Sequence, residues 1–345
     1  MRILVRIAGA LFGVFIIFVA VGFFLPAERS VSRSISIDAP PATVYALVNG
    51  FRHFNRFSPW APRDPEAEYR YSGPAEGVGA RMEWQSDSIG NGSQEITAVE
   101  PNRRVAADLG FDDEGGASAE FLIEAADGGS NVTWQFSVDF GYDLMGRYFG
   151  LMLDDFLGAD YEEGLQRLKD VAEAYPKLDL EGFEPTLREQ EATPLLRTRK
   201  RTAMNADAMV ASMGSAFDAL DTVLSLNEVE KDGRPRVITV TWDEAGGTWT
   251  FDAAYPLEQG TPITILAPGI DRETGYSGLV MEVVLEGADW QESTLAYEKA
   301  ELYRELHGLE AAGNSWEEYE SDPVETPPQE LVTHIVFPVR RMPVQ

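Results

Sequence analysis

The 345-residue chain contains no cysteine. That removes disulfides, thiol nucleophiles and thiolate metal sites together, and it leaves the redox compartment open. Histidine is nearly absent: His53, His307 and His334 lie far apart, and none stands in a metal-ligand spacing such as H-x-x-x-H. Positive charge is scarce as well, with 28 basic residues against 57 acidic ones and a net charge of −29. A field of that sign repels phosphate backbones and argues against nucleic acid as a partner. Its plain meaning is a well-solvated acidic surface. No G-x-S-x-G, H-E-x-x-H, Walker A or G-x-G-x-x-G run occurs, so the residues assign no catalytic set, no metal site and no cofactor.

What is present is the material of folded domains. Hydrophobic residues make up 44% of the chain, with 7 Trp, 12 Tyr and 18 Phe, enough for real cores. The length suits two domains of ordinary size. Ile7–Leu25 is an uncharged apolar run ended by Pro26; as a helix it is about 28 Å long, close to the hydrocarbon thickness of a bilayer. A cleaved signal peptide fits less well, because the run is long for such a segment and no Ala-x-Ala site follows it. Residues 1–6 are therefore read as a short cytoplasmic N-terminus and residues 7–25 as a single transmembrane helix. Arg2 and Arg6 on one side nearly balance Arg29 and Arg33 on the other. The soluble part is placed on the extracytoplasmic (periplasmic) side, with the opposite orientation kept open.

Residues 30–178 read as one α+β domain. Val31–Asp38 alternates with period 2. Asp38-Ala39-Pro40-Pro41 then opens a short helix with Asp38 as its expected cap, and a second, aromatic-rich helix covers Phe51–Phe57. Six short extended runs follow, separated by turn signals such as Pro101-Asn102 and Asp127-Gly128-Gly129. The region closes on a helix over Leu153–Ala174, whose apolar stripe is Phe156, Leu157, Tyr161, Leu165, Leu168, Ala172 and Tyr175. A bent antiparallel sheet wrapped on one long helix leaves an elongated space between the two, suited to an apolar ligand. Trp84, Phe121, Trp134 and Phe136 are the candidate walls of that space.

Residues 179–190 read as a linker rich in proline and charge. Residues 191–345 look like one β-α-β-β unit used twice, a pseudo-twofold arrangement with a groove between two sheet halves. The first unit is Leu195–Thr202, a helix over Ala206–Leu226, then Arg236–Trp242 and Thr248–Tyr255. The second is Leu279–Leu285, a helix over Trp290–His307, then Trp316–Glu320 and Val332–Val339. Trp242 and Tyr255 are weaker candidates for a ligand groove. The basic run Arg197-Thr198-Arg199-Lys200-Arg201 reads as the charged edge of a sheet, with a bridge to the acidic first domain as the sharper alternative.

Two family resemblances rest on particular residues. The segments RSISIDAPPATVYALVN (33–49), FNRFSPWAPRDP (54–65), YSGPAEGVGARMEW (71–84) and VTWQFSVDF (132–140) resemble the START-like SRPBCC, or helix-grip, superfamily in its polyketide-cyclase-like branch. The resemblance implies a cavity for hydrophobic small molecules or lipids and no single catalytic set. The closing segment EEYESDPVETPPQELVTHIVFPV (317–339) resembles the end of GyrI-like, effector-binding small-molecule domains. There the resemblance implies that Glu317 faces the groove and meets cationic or amphipathic ligands, beside Tyr319, with a one-residue register ambiguity toward Glu318 and Glu320. Some members of that family are similar to hydrolases of reactive small molecules, in which Glu317 would act as general base with Tyr319 orienting a water. The reading as a whole is a membrane-anchored protein binding hydrophobic or amphipathic small molecules. Its alternatives are that hydrolase and a non-catalytic interaction module.

Overall fold

The structure is a computed structural model that describes residues 2–111, 114–287, 290–320, 326–327 and 330–344. The side chains of residues 2–5, 8, 114–115 and 290–291 lie outside the description, as does the Asp322-Pro323 step of the closing segment. The chain divides into two units, 1–181 with 343–345, and 182–342.

The first unit begins with α1 (Arg2–Phe24) and β1 (Glu28–Ile37), then α2 (Pro41–Val48) and α3 (Phe54–Phe57). Six strands follow: β2 (Glu68–Ser72), β3 (Arg81–Gln85), β4 (Gly92–Glu100), β5 (Arg104–Phe111), β6 (Glu114–Ala126) and β7 (Gly129–Asp139). Two helices close the unit, α4 (Leu144–Phe149) and α5 (Leu153–Glu173). Its sheet runs β1-β7-β6-β5-β4-β3-β2 and is antiparallel throughout. Val31 and Ile37 of β1 are buried while the serines between them face water, as period-2 spacing requires. Asn102 and Gly128 take positive φ in the β4–β5 and β6–β7 hairpins, the conformation that Asn and Gly tolerate best. Asp38 does not cap α2: Pro40 holds that position without a side-chain bond, and the Asp38 carboxylate pairs instead with Lys177.

The helix α5 lies directly on the sheet. Tyr161, Leu165, Leu168 and Ala172 are buried as the stripe demands, but Phe156 is 56% exposed and stacks on Phe149 of α4 instead, with ring centres 5.7 Å apart. Two glycines let the helix press close. A Cβ on Gly164 would stand 2.5 Å from Trp134 Cζ3, and one on Gly158 would stand 2.1 Å from Arg33 Nη2. Arg33 in turn binds Asp154 at 3.0 Å and Glu162 at 2.7 Å, tying β1 to the first three turns of α5.

The second unit holds β8 (Thr186–Gln190), β9 (Pro194–Ala203), α6 (Ala206–Leu226), β10 (Arg236–Asp243), β11 (Thr248–Pro256), β12 (Ile270–Thr274) and β13 (Gly278–Glu286). After these come α7 (Trp290–Leu306), β14 (Leu309–Ala311), β15 (Trp316–Tyr319) and β16 (Val332–Arg341). Its sheet order is β12-β9-β11-β10-β15-β16-β13-β8, with β14 paired to β16. The central six strands read as a palindrome. The first, third and second strands of one β-α-β-β unit meet the second, third and first of the other, so the duplication appears as a pseudo-twofold axis between β10 and β15. The flanking β8 and β12 lie outside the repeat.

Two expectations are corrected here. The stretch expected to be linker contributes β8, which pairs residues 186–190 with β13; Leu187 packs inward while Arg188 binds Glu282, an alternation too short to stand out beside the charges. The basic run does not lie on a sheet edge, because β9 is bordered by β11 and β12. Arg197 and Arg199 hold the buried Asp252 of β11, and Arg197 also reaches Asp271 and Glu273 of β12.

Among the described residues, no helix is long and apolar enough to cross a membrane.

The contact at Gly164 gives a first prediction. Gly164→Val forces a branched side chain into the Trp134 ring and Pro59. Overpacking of this kind destabilises by about 1–3 kcal/mol, read as a lowered urea midpoint of tryptophan fluorescence. An unchanged midpoint would mean that α5 does not press on Trp134.

Candidate functional site

Successive side chains of a strand point to opposite faces of its sheet, and β15 divides its charges by this rule. The face carrying Glu317 and Tyr319 is the one covered by helices. In one half, α6 packs Met209, Leu220 and Leu224 against Phe251, Tyr255 and Tyr319; in the other, Ala300 of α7 packs with Met281 and Val339. Glu317 sits on the central strand between those halves, with Val237 and Ile335 as its register neighbours.

The Glu317 carboxylate is partly buried and held by two tyrosines. Tyr319 donates its hydroxyl to Oε2 at 2.5 Å, and Tyr297 of α7 donates to Oε1 at 3.1 Å. Tyr319 is buried within the α6 core, and Tyr297 packs edge-on against Phe337. Both hydroxyls are held well above the ordinary tyrosine range, first by burial and then by the negative charge of Glu317. They therefore remain protonated donors at neutral pH. Among the described residues Glu317 forms no ion pair, although Arg236 of the neighbouring strand is the register partner of Glu318.

That arginine serves the opposite face. Glu318 is buried, accepts a hydrogen bond from Trp316 Nε1 at 2.9 Å, and lies 3.1 Å from Arg236 Nε. That pair is within ion-pair distance but not aligned as a hydrogen bond. The Arg236 guanidinium stands 5.5 Å over the Trp316 ring, and burial lowers its proton affinity despite the opposing pull of Glu318. Glu320 pairs with Arg234 and with His334, whose other ring nitrogen is 2.7 Å from Glu282. Of three adjacent glutamates, Glu318 and Glu320 are neutralised by cations, and Glu317 is answered only by hydroxyls.

Of the other groove candidates, Tyr255 shares the α6 core with Tyr319 and Trp242 lies further off. Trp242 is 39% exposed and meets Trp249 edge-on. It stands five residues along β10 from Val237, roughly 15 Å from the level of Glu317, so the fold does not bring the two together. Tyr255 is buried against Phe217, with the Lys231 ammonium 4.9 Å over its ring. Tyr297, which completes the carboxylate's shell, was not singled out from sequence. The available signal was its place in a Tyr297, Ala300, Arg304 series at helical steps on α7.

In the first unit, Phe121 and Trp134 are register partners on β6 and β7. Trp134 is stacked between Phe121 and Tyr161, at 4.8 and 4.3 Å, and is met edge-on by Phe57 and Trp60. Phe136 is buried beside them, whereas Trp84 on β3 is partly exposed and meets Phe111. The elongated space expected under α5 is filled by rings at Trp134. An open surface groove of about 570 Å³ is lined by residues such as Arg81, Glu95, Thr97, Asp108 and Ser118, and none of the four aromatic candidates borders it. Among the described residues the buried Trp134 Nε1–H has no hydrogen-bond partner, which costs about 1–3 kcal/mol.

Comparison with known proteins places the first unit. Residues 28–173 match the family described as polyketide cyclase / dehydrase and lipid transport. No curated protein matches the chain. Among solved structures, a hydrolase from Listeria innocua is similar at 11% identity, covering 48% of this chain and 100% of its own, with a TM-score of 0.34. The Aha1 dimer from Colwellia psychrerythraea is similar at 19% identity, covering 42% of this chain and 96% of its own, with a TM-score of 0.31. Both likenesses are too weak to carry an argument.

The tyrosine pair predicts a pH dependence. Because both hydroxyls have raised proton affinity in the folded chain, the stability they contribute is whole below about pH 10. It is lost as pH rises through the folded values. Tyr297→Phe and Tyr319→Phe each remove a hydrogen bond to a charged group, about 1.5–3 kcal/mol. The double variant is expected to lose urea stability at pH 8 and to show a flatter further loss between pH 8 and pH 11 than the parent. Equal alkaline slopes would count against the pair.

Proposed function

We propose that the chain is a membrane-anchored binding protein for hydrophobic or amphipathic small molecules, with modules at residues 30–178 and 191–345 in tandem, the ligand of the second carrying a positive charge. The observation that carries this reading is Glu317: a partly buried carboxylate between two protonated tyrosines, with no cation of its own among the described residues. A desolvated carboxylate is costly unless a positive group meets it. The tyrosines orient it and supply ring faces, and a ligand ammonium would complete the charge balance, aided by cation–π attraction of about 0.5–2 kcal/mol. The GyrI-like pattern of residues 317–339 supports the same assignment.

For the first module, support comes from the description of the family matching residues 28–173 and from the unpartnered indole N–H of Trp134. An acceptor on a ligand that parts the ring stack would satisfy that donor. For the anchor, support comes from the uncharged run Ile7–Leu25 and from α1, where Leu11, Phe12, Val14 and Ile17 are each more than 60% exposed. An apolar helix with such a surface is not stable in water, and a bilayer is the solvent that suits it.

The test is calorimetric titration of the full chain in detergent-free nanodiscs with a benzyl-dimethyl-alkylammonium cation and with a neutral benzyl ether of equal chain length. The cation is expected to bind and the ether to bind weakly. Glu317→Gln should reduce cation affinity at least about tenfold, the equivalent of roughly 1.4 kcal/mol. Equal affinity of parent and variant for the cation would remove Glu317 from the ligand site.

A further inference from the structure

We propose that the α4–α5 junction is a second membrane contact, an apolar foot that lies in the interfacial layer of the bilayer beside the end of α1. The inference rests on reading α1 as the anchor and adds to it where the rest of the first unit meets lipid.

Hydrogen bonds and a ring stack join α4 to α1 and to Leu25 just after it. Tyr148 donates its hydroxyl to the Phe18 carbonyl at 2.8 Å, and the two rings stack at 4.4 Å. Arg147 donates to the Phe23 and Leu25 carbonyls at 3.1 and 3.0 Å, and also to Gly141 O. This side chain satisfies carbonyls that the end of a helix leaves unpaired and sets a cation where the helix dipole favours one. Gly22 makes the close approach possible, since a Cβ there would stand 3.1 Å from both Leu144 and Tyr148.

This geometry sets a depth. From Phe18 to Phe24 the helix rises about 9 Å. If Ile7–Leu25 occupies the hydrocarbon, α4 lies alongside its last 9 Å. That is the layer, about 5–10 Å deep, into which interfacial apolar segments insert. The residues α4 and its flanks turn away from the protein suit that layer. Tyr142 is 88% exposed, Met145 67%, Phe149 45%, Leu151 53%, Met152 48% and Phe156 56%. Scattered apolar residues on a surface are ordinary, but six within fifteen positions, continuous with an exposed apolar helix, form a contact surface. Tyr142 and Tyr148 are the residue type enriched at the membrane–water boundary. The ionic groups are acidic or engaged: Asp143 caps α4 through Met145 N, Asp154 is paired with Arg33, and Arg147 is spent on carbonyls. Insertion is therefore apolar, and it needs no anionic lipid.

The absence of cysteine makes the test clean, because a single introduced thiol is the only labelling site. The full chain is reconstituted in phosphatidylcholine vesicles with an environment-sensitive fluorophore at Phe149→Cys, Phe156→Cys, Phe12→Cys in mid-α1, or Asp108→Cys on the outer sheet face. Labels at 149 and 156 are expected to be quenched by lipid-borne nitroxides near the headgroup boundary. Their quenching by aqueous iodide should be at least about threefold weaker than at 108. A label at 12 should be reached only by quenchers deep in the acyl chains. If 12 is deep but 149 and 156 are as open to iodide as 108, the foot is refuted and the anchor stands. If 149 and 156 are shielded from iodide yet untouched by lipid quenchers, protein covers them and the foot is again refuted. If 12 is itself aqueous, anchor and foot fall together.

Discussion

A carboxylate that is partly withdrawn from water must be answered by something. How Glu317 and Glu318 of β15, and Glu320 just after it, are answered organises the second unit. Glu318 has Arg236 and Trp316, and Glu320 has Arg234 and His334. Glu317, one residue before Glu318 and three before Glu320, has two tyrosine hydroxyls and no cation among the described residues. The difference follows from the pleat alone. The face shared by Glu318 and Arg236 gathers charged side chains such as Arg188, Glu282 and His334, whereas the face of Glu317 is the one the helices cover. Hydroxyl donors stabilise a negative charge without cancelling it. The middle of the second unit thus keeps a net negative spot in apolar surroundings.

The pseudo-twofold plan explains why that spot is central. Each β-α-β-β unit covers its own strands with its own helix, so the helices lie over the two halves and the seam runs along β10 and β15. At that seam Glu317 is only partly buried, while its register neighbours Val237 and Ile335 are fully buried. Single residues already show that the halves are not equivalent. The strand equivalent to β15 in the first repeat is β10, and there the register partner of Glu317 is Val237, an apolar side chain. The acid comes from one repeat only.

The sequence made the elements legible to a good extent. Period-2 runs and the helical stripe of α5 marked the strands and the long helix because burial on one face leaves a periodic trace. The palindromic strand order agrees with the repeat read from spacing. What stayed hidden was short or relational. β8, β12 and β14 are five residues or fewer, and α4 is a single six-residue helix whose partner, α1, lies 120 residues upstream. Tyr297 became part of the Glu317 shell only through the packing of α7, which no local pattern displays. The filling of the first unit's interior at Trp134 depends on Gly158 and Gly164, and in a helix sequence these read as mild flaws rather than as the means by which the helix closes on its sheet.

That closure bears on how a guest would enter the first unit. The ring stack of Phe121, Trp134 and Tyr161 is continuous with Phe57 and Trp60, so no one ring moves without its neighbours. The segment with the least support lies at the other end of α5, where Phe156 leaves the sheet and stacks on Phe149 of α4. There the helix is held by Arg33 through solvent-exposed carboxylates, a kind of pair worth little in water. The first unit is thus firm at its aromatic centre and lightly held where α5 meets α4, the end tied to α1.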